Sequence, residues 1–181
     1  SSMNQELIRN IQANLEQSLG NTIWCLPLNS LHITLMDWVA PLVNYEKDKD
    51  LIFRDIFEKN DAALKDVLSE IGTISITFSE IQASAGGVYL KGSDNGEFAS
   101  IRHKFLERID LIPGTKQPPA IIHTTIARYT DAVALKPIQD LIATQSINFT
   151  QPVDAFLLVR ETKIPMLERE LIKTYLLKPA V

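Results

Sequence analysis

Two tetrads of the same make lie in opposite halves of the chain, His32-Ile33-Thr34-Leu35 and His123-Thr124-Thr125-Ile126, with their histidines 91 positions apart. They use two of the three histidines in the sequence. On an extended strand successive side chains point to opposite faces, so His32 and Thr34 share one face while Leu31, Ile33 and Leu35 share the other. In the second tetrad His123 and Thr125 share a face, opposed by Ile122 and Ile126. Each strand then offers an imidazole and a hydroxyl about 6 to 7 Å apart. If the two strands face each other across a groove, two imidazoles and two hydroxyls converge. Imidazole titrates near pH 6.5, so one copy can accept a proton while the other donates one. Hydroxyls aimed at non-bridging oxygens would hold the charge that develops during cleavage of a phosphate ester. Such a site requires neither a metal nor a nucleophilic side chain. A single tetrad of this kind would mean little, since a lone strand histidine is commonly structural.

The elements that must position these groups are legible from periodicity. Residues 4 to 18 repeat Leu7, Ile8, Ile11 and Leu15 at helical spacing, and Gly20 supplies a stop. Short strands are expected at 22 to 26 and 31 to 36, the second holding the first tetrad. Residues 49 to 71 form a long amphipathic helix ended by Gly72. A hairpin is expected from Thr73 to Phe78 and Gly87 to Lys91, with Gly86-Gly87 read as a turn signal. A helix over 97 to 109 stops before Pro113-Gly114, and Ala120 to Tyr129 is the strand of the second tetrad. A short helix over 133 to 143 and strands at 147 to 149, 154 to 160 and 171 to 177 complete an α+β pattern. Each half contains a tetrad strand, then a helix, then a strand pair, a faint internal repeat without a linker between the halves.

With both tetrads in view, the chain resembles the two-histidine phosphoesterase superfamily, which includes the RNA 2',3'-cyclic phosphodiesterases also called 2'-5' RNA ligase-like proteins. The likeness in element order spans about residues 20 to 178. It implies one bilobal domain over 1 to 181, a pseudo-two-fold repeat of antiparallel sheets with flanking helices around a central cleft. It also implies His32 and His123 as the acid/base pair, with the assignment between them open, and Thr34 and Thr125 as phosphate-binding hydroxyls. The second motif continues Ile126-Ala127-Arg128-Tyr129, similar to the H-x-T-L-x-R form of RNA-directed relatives, which makes Arg128 a candidate anion contact. Strict alternation puts Arg128 opposite His123, so a twist or bulge must turn it. Tyr129 shares the His123 face by alternation and is a candidate for stacking on a base. The first motif continues Met36-Asp37-Trp38 without a cation, which argues against polymeric RNA. Trp38 reads as a packing residue, and His103, between Arg102 and Lys104, as a solvated one.

Composition narrows the partners. Lys and Arg number 18 against 22 Asp and Glu, a net charge of −4, which gives little non-specific attraction to a polyanion and disfavours duplex DNA. The substrate implied is a small phosphodiester, a nucleotide or an RNA end, with no cofactor and no metal. The protein is expected to be a monomer. An alternative is a non-catalytic module that binds a nucleotide or phosphoryl ligand in the same cleft, and a small-metabolite substrate such as an ADP-ribose cyclic phosphate is a third. Cys25, in the apolar run Ile23 to Leu26, reads as a buried inert thiol in a reducing compartment. No apolar run approaches a membrane span, no leader pattern opens the chain, and Ser1-Ser2-Met3 reads as an expression remnant, so a cytoplasmic location is expected. Zinc, Walker-loop and G-x-S-x-G patterns are missing.

Overall fold

The computed structural model of the protein describes residues 2–179. Four helices and seven strands follow one another as α1 (Ser2–Leu19), β1 (Ile23–Cys25), α2 (Lys49–Leu68), β2 (Ile74–Ser84), β3 (Gly87–Ser93), α3 (Glu97–Leu106), β4 (Ile122–Tyr129), α4 (Leu135–Ala143), β5 (Phe149–Val153), β6 (Ala155–Lys163) and β7 (Glu168–Leu176) among the described residues. Every pairing between these strands is antiparallel. One sheet has the order β1-β4-β3-β2-β5, and β6-β7 form a second, two-stranded sheet. This is the α+β architecture read from the sequence. No helix among the described residues is long and apolar enough to cross a membrane.

The helices form where apolar residues recur at three- and four-residue steps and end where the caps change. Asp48 caps α2, its side chain accepting from the backbone N–H groups of Asp50 and Leu51 at 2.9 and 3.2 Å. Asp94 does similar work ahead of α3, accepting from Gly96 and Phe98 N–H at 2.9 and 2.7 Å. The core runs continuously from α1 through the larger sheet to α2, α3 and the smaller sheet. Trp38 lies in it, 7% exposed, against Phe53, Phe57 and Phe105, which makes it the packing residue expected.

Two helices interrupt their apolar stripe with a polar residue at the same place. In α1 the buried positions are Ile8, Ile11, Gln12 and Leu15; in α3 they are Phe98, Ile101, Arg102 and Phe105, each 90 positions after its counterpart. Both polar side chains reach backbone carbonyls of a tetrad segment in the other half of the chain. Gln12 Nε2 donates to Ile126 O at 2.9 Å and to Leu26 O at 2.8 Å. Arg102 Nε donates to Leu35 O at 2.8 Å. Leu35 and Ile126 are corresponding residues of the two tetrads, so the repeat that was faint in the sequence is a structural pseudo-two-fold at these contacts.

Candidate active site

The second tetrad lies on β4 as expected. Ile122, Thr124 and Ile126 are buried, while His123 and Thr125 are half-buried on the opposite face. Antiparallel pairing with β3 puts Lys91 beside His123 and Tyr89 beside Thr125. The Tyr89 ring meets the His123 ring edge-on at 5.5 Å, and its hydroxyl donates to Gln82 Oε1 at 2.7 Å. Lys91 is partly neutralised by Glu80, 3.3 Å away.

Beyond Thr125 the ladder slips. Tyr89 pairs with Thr125 and its neighbour Val88 with Ala127, so β4 carries one extra residue, Ile126, against β3. Ile126 and Ala127 both face the core, and the residue after them, Arg128, is returned to the His123 face. This is the turn that strict alternation could not supply. The bulge is held from behind, because Ile126 O accepts from both Leu26 N–H and Gln12 Nε2 at 2.9 Å each. It is held from the side by Gly87, at φ +142°, where a Cβ would lie 2.2 Å from Ala127 O. Gly86-Gly87 is therefore more than a turn signal.

The same slip corrects the expectation for Tyr129. It is turned away from the His123 face and packs against the core, opposite Ile23, and its buried hydroxyl has no hydrogen-bond partner among the described residues. The aromatic that does share the Arg128 face is its cross-strand partner Trp24, 38% exposed. A depression of about 310 Å³ runs along this face, lined by His123, Thr125, Arg128, Tyr89 and Ile121 and by Ser84, Gly86 and Gly87 of the β2-β3 hairpin. Arg128 Nη1 donates to Gly86 O at 3.3 Å across it.

The first tetrad departs from expectation in its backbone. Residues 31 to 36 follow a short 3-10 turn, Leu28–Ser30, and join no sheet. Their carbonyls are taken instead by a side chain: besides Leu35 O, Arg102 reaches Thr34 O through Nη2 at 2.7 Å. A guanidinium that satisfies two successive acceptors leaves no ladder to form there. Alternation survives, since Leu31, Ile33 and Leu35 pack on the core, leaving His32 and Thr34 on the other side. The third contact of Arg102 is Ile121 O at 3.4 Å, two residues before His123. One guanidinium thus touches the backbones of both histidine segments.

Both rings are oriented by the carbonyl two residues upstream. His32 Nδ1 lies 2.8 Å from Ser30 O. A carbonyl only accepts, so Nδ1 bears hydrogen and Nε2 is the free nitrogen of the neutral ring. The Ile121 carbonyl stands in the corresponding place beside the His123 ring. The surroundings of the two differ in sign. Burial, then the positive fields of Arg102, His32 and Arg128, hold His123 below the ordinary histidine pKa, against the opposing pull of the Ile121 carbonyl. His32 instead has Asp37 beside it. Burial and the nearby Glu161 raise the Asp37 carboxyl above its usual range, while His32 draws it down. No functional role for Asp37, Glu161, Tyr89 or Arg102 was read from the sequence. Arg102 alone left a signal there, a cation inside the apolar stripe of a helix.

The remaining expectations concern residues away from the cleft. His103 is an exposed side chain 3.3 Å from Glu107. Cys25 is half-buried, with burial and then Glu16 pushing its thiol up to about 12, so it stays protonated. No group of three or more His, Cys, Asp or Glu side chains that could hold a metal ion occurs among the described residues.

No known family model and no curated protein sequence matches the chain. Among solved structures it is similar to TT0787 of Thermus thermophilus, with 14% identity over 97% of this chain and 93% of that one and a TM-score of 0.62. The MHV ns2 PDE domain aligns with 13% identity over 82% of this chain and 81% of that one, with a TM-score of 0.49. The likeness to TT0787 extends over nearly the whole of both chains, and what the two share is the α+β fold of antiparallel sheet and flanking helices.

Proposed function

We propose that the protein is a phosphodiesterase of the two-histidine type, acting on a 2',3'-cyclic or 2'-5' phosphodiester of a nucleotide or short RNA. The observation that carries this reading is the meeting of two H-x-T segments around Arg102, each with its imidazole oriented by an upstream carbonyl and each set in charge of opposite sign.

The asymmetry supports a division of labour. His123, held neutral at physiological pH by burial and cationic neighbours, takes a proton from water as the oxygen of that water bonds to phosphorus. The bond from phosphorus to a ribose oxygen breaks, and His32, beside Asp37, gives an Nε2 proton to the leaving oxygen. Ring opening of a cyclic phosphate yields a monoester and a free hydroxyl, and proton exchange with solvent restores both imidazoles. Thr34 and Thr125 hydroxyls bind the non-bridging oxygens. Arg128, in the lining of the depression, takes a second anionic group, and Trp24 on the same face offers a surface for a base. These local cations in a chain of net charge −4 suit a short substrate.

The test is hydrolysis of 2',3'-cyclic nucleotides and 2'-5' oligoadenylate with chelator present, by wild type, His32→Ala and His123→Ala. Turnover that persists in chelator and drops about a hundred- to ten-thousandfold in each variant is expected. Undiminished turnover in either variant contradicts the reading.

A further inference from the structure

We propose that Arg102 is a positioning residue that clamps the two histidine segments together and sets the spacing between the imidazoles. The inference rests on the phosphodiesterase reading for its kinetic consequence but on geometry for its substance. Arg102 is 7% exposed. Its three nitrogens are spent on Thr34 O at 2.7 Å, Leu35 O at 2.8 Å and Ile121 O at 3.4 Å. None of its hydrogen bonds goes to a carboxylate; Asp94 acts on it only through its field.

A buried guanidinium held by neutral carbonyls alone is an expensive arrangement for packing, because a hydrocarbon would fill the stripe of α3 between Phe98 and Phe105 without desolvating a charge. What the charge and the planar fork add is specific to this place. The fork fixes one segment relative to the other with three donors in a rigid plane, which neither a lysine nor a neutral amide reproduces. Ile121 O, one of its acceptors, is also the carbonyl that orients the His123 ring. Arg102 therefore fixes the position of His32 through the backbone that follows it, and the orientation of His123 through the carbonyl that precedes it. Its pseudo-symmetric counterpart, Gln12, makes the matching contact to Ile126 O without a charge, so the cation belongs to one half and biases one imidazole. Phe98, with its ring centroid 5.4 Å from the guanidinium carbon, keeps the fork in plane.

The experiment compares wild type with Arg102→Gln and Arg102→Lys by ring-proton NMR titration of the histidines and by pH profiles for hydrolysis of a 2',3'-cyclic nucleotide. In Arg102→Gln the cation is gone, so the His123 titration and the acidic limb of kcat/KM move to higher pH, and kcat falls roughly a hundredfold with KM nearly unchanged. In Arg102→Lys the charge remains and the limb stays put, yet kcat falls about tenfold because one nitrogen cannot span three carbonyls. A purely structural role predicts lower stability in both variants, with kcat per folded molecule and the His123 titration unaltered; that result overturns the proposal. If Arg102→Gln does not fold, Arg102→Lys decides alone, and wild-type kcat in it is the contradicting outcome. If the wild type turns over no phosphodiester, the phosphodiesterase reading fails separately. The His123 titration in Arg102→Gln and the ring-proton shifts of both histidines in Arg102→Lys still decide the clamp, and unmoved resonances refute it.

Discussion

His32 and His123 illustrate how far a side chain's chemistry depends on its neighbours. As sequence they are near copies, and alternation already placed each beside a threonine on one face of its segment. The difference between them lies in their neighbours, since Arg102 and Arg128 act on His123 while Asp37 stands beside His32. Asp37 and Arg128 stand just after the two tetrads, but Arg102 and Glu161 are too remote in sequence for a tetrad to reveal. Because His123 is held below the ordinary value near 6.5, the acidic limb of kcat/KM should lie below that pH. Arg128→Gln removes one of the cationic causes, so its limb should move upward, and KM should rise with it. Protein stability should follow the same group. The unfolded chain binds the proton more readily, so the contribution is full above about pH 6.5 and is lost as pH falls through the folded value. Thermal melts of wild type and His123→Gln between pH 7.5 and 5 check this, with the wild type losing more on acidification. Thr125→Val should cost up to about a hundredfold in kcat if its hydroxyl meets developing charge.

At the scale of elements, helices and the β2-β3 hairpin were readable because periodicity and caps are local properties. The strand expected at 31 to 36 was not formed, and β-rich composition could not have said so, because the competitor for its carbonyls is a side chain more than 60 positions away. A twist or bulge before Arg128 was already required by alternation, but its place at Ile126 was hidden, since it is set by Gln12 on α1 and by the close approach of Gly87 to Ala127. It decided the fate of two candidates, bringing Arg128 into the cleft and taking Tyr129 out. Gln12→Ala should free Leu26 O and Ile126 O from their helix donor, cost about 1 to 2 kcal/mol in urea denaturation, and raise KM more than it lowers kcat. Gly87→Ala must either move β4 or break the left-handed turn, and a loss of more than roughly 2 kcal/mol is expected in the same measurement.

Across the whole molecule the smaller sheet is secured to α2 by a buried carboxylate. Asp61, 6% exposed, accepts from Tyr175 Oη at 2.7 Å and pairs with Lys173 at 2.7 Å and Lys65 at 2.8 Å. Burial alone would raise its pKa, but hydrogen bonds from Lys173, Lys65 and Tyr175 outweigh it and bring the carboxyl to about 2. Its stabilisation is thus present above the ordinary aspartate value and lost as pH falls through about 2, well below the range in which His123 titrates. Asp61→Ala should cost about 2 kcal/mol or more and loosen β6-β7, seen as faster amide exchange there. The fold class was legible from element order. The 90-position repeat of the α1 and α3 stripes was equally present in the sequence, but it is recognisable only once Gln12 and Arg102 are seen to answer each other.

That both imidazoles address one phosphorus centre is what the proposed chemistry requires above all. It is tested most directly by titrating the protein with adenosine 2'-monophosphate while following the ring-proton resonances of its three histidines. His32 and His123 should move with the same midpoint while His103 stays fixed. A response from one of the pair alone, or midpoints that differ, would contradict a shared site.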